Sequence, residues 1–197
     1  MLKRIFDTFF SFFGLVLTLP LLIIIAILIR LDSKGPVFYR GVRVGQFGKQ
    51  FKIFKFRTMV EKAEELGGPS TSADDPRLTK FGRFLRKYKL DELPQLINVL
   101  RGEMSLVGPR PEVPEEIATY SAREREILKA KPGMTDFASL WDFHEEEILR
   151  GSKNPHQTYR EKIKPMKIKL SLEYLEKQSF LTDLKIIFLT IKKLFKE

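Results

Sequence analysis

The sequence predicts an α-rich α+β fold: an N-terminal membrane helix followed by one domain that runs to the C-terminus. Three observations lead there. An apolar run from Phe9 to Ile29 holds no charge, basic amphipathic patterns occupy 78–90 and 180–195, and short aromatic runs between turns over 33–56 have strand character. A chain of 197 residues, 43% of them hydrophobic, is long and apolar enough for a real core and excludes a disordered protein. The absence of cysteine excludes disulfides and thiolate metal sites. A formal charge of +10 asks for an acidic partner, which nucleic acid, anionic lipid or a pyrophosphate would provide.

Phe9–Ile29 has the length of about 20 residues that a bilayer crossing needs. Arg30-Leu31-Asp32 follows where a cleaved leader would carry small residues, so the segment reads as part of the mature chain. Pro20 falls in its middle, where it removes a backbone hydrogen bond and bends the helix. Lys3 and Arg4 precede the run and Arg30 and Lys34 follow it, so charge gives no orientation. A spanning helix and a re-entrant helix-break-helix with both ends on one side both satisfy the pattern. Thr18 is available to satisfy backbone groups freed at the proline.

Ser33–Pro36 reads as a turn, Val37–Tyr39 as a short strand, and Gly41, Gly45 and Gly48 punctuate a basic loop that lacks the spacing of a dinucleotide fingerprint. Phe51–Phe56 alternates as a half-buried strand. Glu61–Leu66 reads as a helix end, and the Gly/Ser/Asp-rich loop 67–75 has the composition of a segment that closes over a substrate. Leu78–Leu90 carries Phe81, Phe84, Leu85 and Tyr88 among Lys80, Arg83, Arg86 and Lys87, a basic amphipathic helix suited to a headgroup surface. No nucleic-acid-binding motif accompanies it, so with an apolar segment upstream the acidic partner is lipid and not nucleic acid.

The chemistry concentrates in 91–111. Leu93, Leu96 and Leu100 recur at helical spacing, Pro94 is tolerated only in a first turn, and Gly102 is a stop, so a short helix runs from about Asp91 to Arg101. Its positive end favours ionised Asp91 and Glu92 and can receive phosphate. Adjacent positions point apart on a helix, which gives the two acids separate jobs: one a nucleophile or base, the other a metal holder. Arg86 lies one turn upstream, and Arg110 is fixed between two prolines, an arrangement suited to bidentate phosphate binding. Two acids beside two arginines suit a metal–diphosphate site, although a solvated salt-bridge network fits the same residues.

Beyond it, Glu112–Ala130 reads as a charged helix with a solvated 124–126 run, and Lys131–Thr135 as a turn. His144 and His156 lie near Glu145–Glu147 but lack the spacing of a helical zinc site, and read as surface residues. Leu184, Ile187, Phe188 and Ile191 form an apolar stripe on a closing helix 180–195 with Lys192, Lys193 and Lys196 at its end, able to dock on a membrane or cap the core.

The run LDELPQLINVLRGEMSLVGPRPE from Leu90, with FKIFKFRTM before it, SFLTDLKIIFLTIKKLF after it and KRIFD at the N-terminus, closely resembles the bacterial sugar transferases that are monotopic polyprenyl-phosphate phosphoglycosyl transferases, of the small catalytic-domain-only type. Lys131–Thr135 resembles that family's Lys-Pro-Gly-Ile-Thr. Asp136–Phe143 and the acidic run after it depart from the common Gly-Trp-Ala-Gln-Val-Asn-Gly-Arg, so loop contacts made there by other members do not carry over.

The resemblance implies a re-entrant hairpin over 1–31 broken at Pro20, interfacial helices and a small β-sheet forming one domain over 32–197 on the cytoplasmic face of the bacterial inner membrane. It implies transfer of a phospho-sugar from a UDP-sugar to undecaprenyl phosphate, with Asp91 as nucleophile through an aspartyl intermediate and Glu92 as metal ligand or acceptor-positioning group. Mg²⁺ is the expected cofactor, on Asp91 and Glu92. Arg86, Arg110 and Lys55 are the expected phosphate contacts, and Asp183 is carried over as active-site support or as a cap of the last helix. The rival function is a non-catalytic, membrane-anchored basic scaffold. Neither the sugar nor the oligomeric state is encoded in these motifs.

Overall fold

A computed structural model describes residues 1–68 and 70–194. The chain opens with α1 (Leu2–Asp32), a 31-residue helix, followed by β1 (Phe38–Tyr39), β2 (Val42–Val44), β3 (Gln50–Lys52) and β4 (Lys55–Phe56). Then come α2 (Ala63–Leu66), α3 (Lys80–Lys87), a 3-10 turn (Leu90–Glu92), α4 (Gln95–Leu100) and β5 (Ser105–Val107). The last third holds α5 (Pro114–Ala118), a second 3-10 turn (Glu124–Lys129), β6 (Gly133–Thr135), α6 (Phe137–Trp141), α7 (Glu145–Ile148), α8 (Pro155–Thr158), a π-helical turn (Tyr159–Ile163), α9 (Lys164–Glu176) and α10 (Phe180–Leu194). The β content is small, as expected, and is divided into three pairs: β1 with β4 and β2 with β3 antiparallel, β5 with β6 parallel.

The helix-break-helix expectation needs correction at the level of secondary structure. Helix α1 continues through Pro20, and Thr18 donates to the Gly14 carbonyl at 2.7 Å. A proline deletes one N–H and crowds one turn, and a helix absorbs both without ending. α1 is apolar on nearly all sides, yet Asp7, Ser11, Ile25 and Ile29 are buried and Gly14, Thr18 and Leu22 lie partly buried between them. The three- and four-residue spacing of these positions makes one stripe that faces the domain along the whole helix. Opposite it, residues such as Leu17 stay open, 83% exposed.

Both ends of α1 are tied to the same domain. At its start Lys3 bonds Asp183 and the Val107 carbonyl (2.9 Å), Arg4 caps the Val99 and Leu100 carbonyls at the end of α4, and Asp7 accepts from Ser105 Oγ (2.8 Å) and Leu106 N. At its end Ile25 and Ile29 pack with Phe56 and Leu85, and Arg57 donates to the Ser33 carbonyl at 2.8 Å. Lys3 and Arg4, which read as flanking charges in sequence, are therefore internal ties.

Other boundaries also differ from the sequence pattern. Phe51–Phe56 splits into β3 and β4 because Ile53 and Phe54, consecutive in sequence, are both buried, which a single alternating strand forbids. The glycine-rich basic loop contains β2. Glu112–Ala130 is two short helical pieces: Ser121 and Glu124 exchange backbone bonds as a capping box and start the second. Lys131–Thr135 is not only a turn, since Gly133–Thr135 forms β6. At the two ends of the 67–75 segment buried Arg77 bonds Asp75 and the Gly68 carbonyl, and it also bonds the Ala63 carbonyl. On the closing helix Ile186 and Asp183 are buried, while Leu181, Leu184, Phe188 and Ile191 are exposed; Phe195 and Lys196 lie outside the described residues.

Candidate active site

The dyad sits where α3 turns into α4. Lys89, at φ 54°, makes the sharp reversal that ends α3 and starts the 3-10 turn carrying Asp91 and Glu92. A lysine held in the left-handed region costs about 1–3 kcal/mol and marks a position fixed by its surroundings. The predicted helix is thus a 3-10 turn followed by α4, with Pro94 at its N-cap and Gly102, at φ 79°, ending it. Asn98 on α4 is fully buried and bonds Phe54 N (2.8 Å) and the Lys52 carbonyl (3.0 Å), holding the β3–β4 segment so that Lys55 meets the dyad.

Arg110 arrives on the loop after β5. Gly133 N donates to the Pro109 carbonyl at 3.0 Å, and Gly108 N to the Thr135 carbonyl at 3.0 Å. A β-carbon on Gly108 would lie 2.2 Å from the Lys131 carbonyl oxygen, so glycine is required for the loop to seat there.

Of the six expected site residues, Glu92, Lys55 and Arg110 converge by direct bonds, with Asp91 beside them. Glu92 accepts from Lys55 Nζ at 2.8 Å and from both ends of the Arg110 guanidinium, one of them at 3.3 Å. Burial alone would raise the Glu92 carboxyl, but Arg110 and Lys55 hold it well below the usual range. Asp91 is 6% exposed and its carboxylate takes part in no side-chain hydrogen bond among the described residues. Burial pushes it above the ordinary value, with Lys55 only partly opposing. The two acids thus have separate characters, one locked between cations, the other bare. Lys55 is lowered by burial against the pull of Glu92, and Glu92 holds Arg110 far above its ordinary value.

The Arg86 guanidinium makes no hydrogen bond or ion pair among the described residues and acts on Asp91 and Asp75 at longer range. Asp183 lies elsewhere. Its 3%-exposed carboxylate accepts from Lys3 and from Tyr174 Oη (2.7 Å), and the capping oxygen of α10 is Ser179, which accepts Thr182 N at 3.1 Å. Asp183 supports the site only through the strand it helps to grip, since Val107 leads into the Arg110 loop.

Beside Arg110 lies a charged cluster that the sequence spacing does not reveal. Buried Lys167 on α9 bonds Glu145 and lies 3.4 Å from Asp142, which burial pushes up to about 6. Both acids reinforce the Arg110 charge after Glu92 does. The acidic run was the available signal; nothing in the spacing of α9 pointed to Lys167. His156 meets Ser70 (3.1 Å) and Glu116 (3.4 Å), and among the described residues no three His, Asp, Glu or Cys side chains gather as a metal site.

The family model for bacterial sugar transferases matches residues 1–197. The chain belongs to the bacterial sugar transferase family. It is 41% identical, over 97% of its length, to an undecaprenyl-phosphate glucose phosphotransferase of Komagataeibacter xylinus, and 37% identical, over 99%, to the UDP-glucose:undecaprenyl-phosphate glucose-1-phosphate transferase of Escherichia coli. It spans 35% and 40% of those two proteins. With exopolysaccharide production protein ExoY of Rhizobium meliloti it shares 35% identity over 97% of its own length and 84% of the relative. The dyad and its two cations therefore stand in a sugar transferase framework that recurs alone and inside longer proteins.

Proposed function

We propose that this family member transfers a phospho-sugar from a UDP-sugar to undecaprenyl phosphate, releasing UMP, through a covalent intermediate on Asp91. The observation that carries this reading is the contrast within the dyad: a saturated Glu92 beside an Asp91 whose oxygens are free to bond. A buried carboxylate with no partner is costly to keep unless a substrate uses it. An Asp91 oxygen attacks the β-phosphorus, the bond from that phosphorus to the bridging oxygen breaks, and UMP leaves with the oxygen and its electron pair. A phosphate oxygen of the lipid then attacks the same phosphorus, and the acyl-phosphate bond breaks to restore the carboxylate.

Lys55 and Arg110 hold phosphoryl oxygens where charge builds, and Arg86, free of other bonds, reaches the outer phosphate. Glu92 keeps the two cations in place before substrate arrives. The donor set suits Mg²⁺ on Asp91 with the remaining ligands drawn from diphosphate and water, since Glu92 has both oxygens engaged. Bound there, Mg²⁺ would supply charge neutralisation of the diphosphate.

α1 lies re-entrant in the cytoplasmic leaflet of the inner membrane. Support comes from its two ends, both bonded to one domain, and from the exposed apolar residues of its outer face, joined by Phe84 and Tyr88 on α3 and Leu181 and Phe188 on α10. On this reading the dyad stands at headgroup depth, where a lipid phosphate arrives. Because the chain has no cysteine, single cysteines at Leu2 and Lys34 would both be labelled by an impermeant maleimide from the cytoplasmic side of vesicles; labelling from opposite sides would refute the hairpin.

The activity test is detergent-solubilised protein with Mg²⁺, undecaprenyl phosphate and a panel of UDP-sugars. UMP release coupled to formation of a diphosphate-linked lipid sugar supports the reading. Absence of turnover with every donor would favour a non-catalytic membrane scaffold.

A further inference from the structure

Gln95 follows the dyad by one helical turn, and its side chain is 1% exposed. Its amide nitrogen has no hydrogen-bond partner, and no side-chain hydrogen bond of Gln95 occurs among the described residues. A buried amide left unpaired costs about 1–3 kcal/mol, and folded proteins retain few of them.

Its neighbours on α4 show which way it faces. Asn98 bonds Phe54 N and the Lys52 carbonyl, and Val99 packs with Phe51 and Ile53, so this face of the helix lies on the β3–β4 segment. Gln95 stands three and four positions before them, on the same face and nearer the end where Lys55 reaches Glu92. Counting about 120° per residue through the 3-10 turn and about 100° in the α-helix, Gln95 projects between the directions of Asp91 and Glu92. A Gln and an Asp four apart on a helix commonly bond each other; here they do not. Two buried polar residues one helical turn apart, neither with a side-chain partner among the described residues, call for a third group that bonds both.

We propose that the Gln95 carboxamide hydrogen-bonds the phosphoryl group while it is transferred to and from Asp91. The proposal deepens the aspartyl reading and rests on it. The amide N–H donates to a non-bridging oxygen whose charge grows as phosphorus is attacked, alongside Lys55 and Arg110 but without adding charge. Being neutral and fixed in the core of α4, it can orient the group without holding the anionic product.

The test measures two rates for wild type, Gln95→Leu and Gln95→Glu: adduct formation by rapid quench and intact-mass spectrometry without acceptor, and UMP release with acceptor. Gln95→Leu is expected to slow adduct formation about 100-fold, as loss of one oriented donor does, with UDP-sugar affinity changed by no more than about twofold. Its melting temperature should hold or rise, since an unpaired amide has been removed. Gln95→Glu, which places another anion beside the phosphoryl, should be slower still. Should leucine disturb folding, Gln95→Met, of similar volume, replaces it. Folded Gln95→Leu or Gln95→Met protein reacting within about twofold of wild type overturns the proposal. If wild type turns over but forms no adduct, the aspartyl reading fails, and Gln95 is then judged on UMP release, where an unchanged rate overturns it and a comparable loss upholds its contact with the phosphoryl.

Discussion

Among the described residues two carboxylates, buried Glu116 and partly buried Glu92, are each gripped by two cations, and they differ in what lies beside them. Glu116 on α5, 2% exposed, accepts from Arg160 at 2.8 and 2.6 Å and from Lys164, with His156 at 3.4 Å. Glu92 accepts from Arg110 and Lys55. Both are held below the ordinary carboxylate value by their cations despite burial, so electrostatics alone would rank them alike. The Glu116 cluster is closed: it stitches α5 to the π-helical turn and α9, and its acceptors are filled. The Glu92 cluster has bare Asp91 and unpaired Gln95 next to it. An ion pair records stability; a neighbouring polar group left without a partner records work to be done on something absent.

That contrast can be broken at its strongest point first. Asp91→Asn should lower turnover at least about 10³-fold, as loss of a nucleophile does, yet raise the melting temperature, because a buried anion without bonds has been neutralised; a stable variant with wild-type turnover would erase the difference between the clusters. Glu92→Gln leaves Lys55 and Arg110 facing each other and should reduce turnover about 100-fold and stability by about 3 kcal/mol, read by urea unfolding. Glu116→Gln should cost a similar amount of stability while the folded fraction keeps turnover within about threefold of wild type. The smallest effect is the acid limb of stability. The folded-state pKa of Glu116 lies below the usual value of 4.5, so its contribution is present above that pH and is lost as pH falls. Glu116→Gln should therefore flatten the loss of stability measured between about pH 5 and pH 3.

Much of the site was legible because its signals are local. Pro94, the leucine spacing and Gly102 outlined α4, and the pairing of acids with Arg110 survived into three dimensions. Lys55 was reached through resemblance alone; no spacing links β4 to the dyad. What stayed hidden depends on distant pairing. The roles of Lys3 and Asp7 appear only once α1 lies against β5 and α10, and consecutive burial of Ile53 and Phe54 broke an alternation that looked like one strand. β6 was hidden behind a Pro-Gly turn signal, since its partner β5 lies far upstream in the chain.

The central claim is that the bare carboxylate of the dyad carries the phospho-sugar. It is tested most directly by intact-mass spectrometry of wild type and Asp91→Asn incubated with Mg²⁺ and UDP-sugars in the absence of lipid acceptor. The account predicts a wild-type mass increase of one phospho-sugar with UMP released, mapped by peptide analysis to Asp91, and no adduct on the variant. Turnover with acceptor but no adduct without it, or an adduct that maps to Glu92, would contradict it.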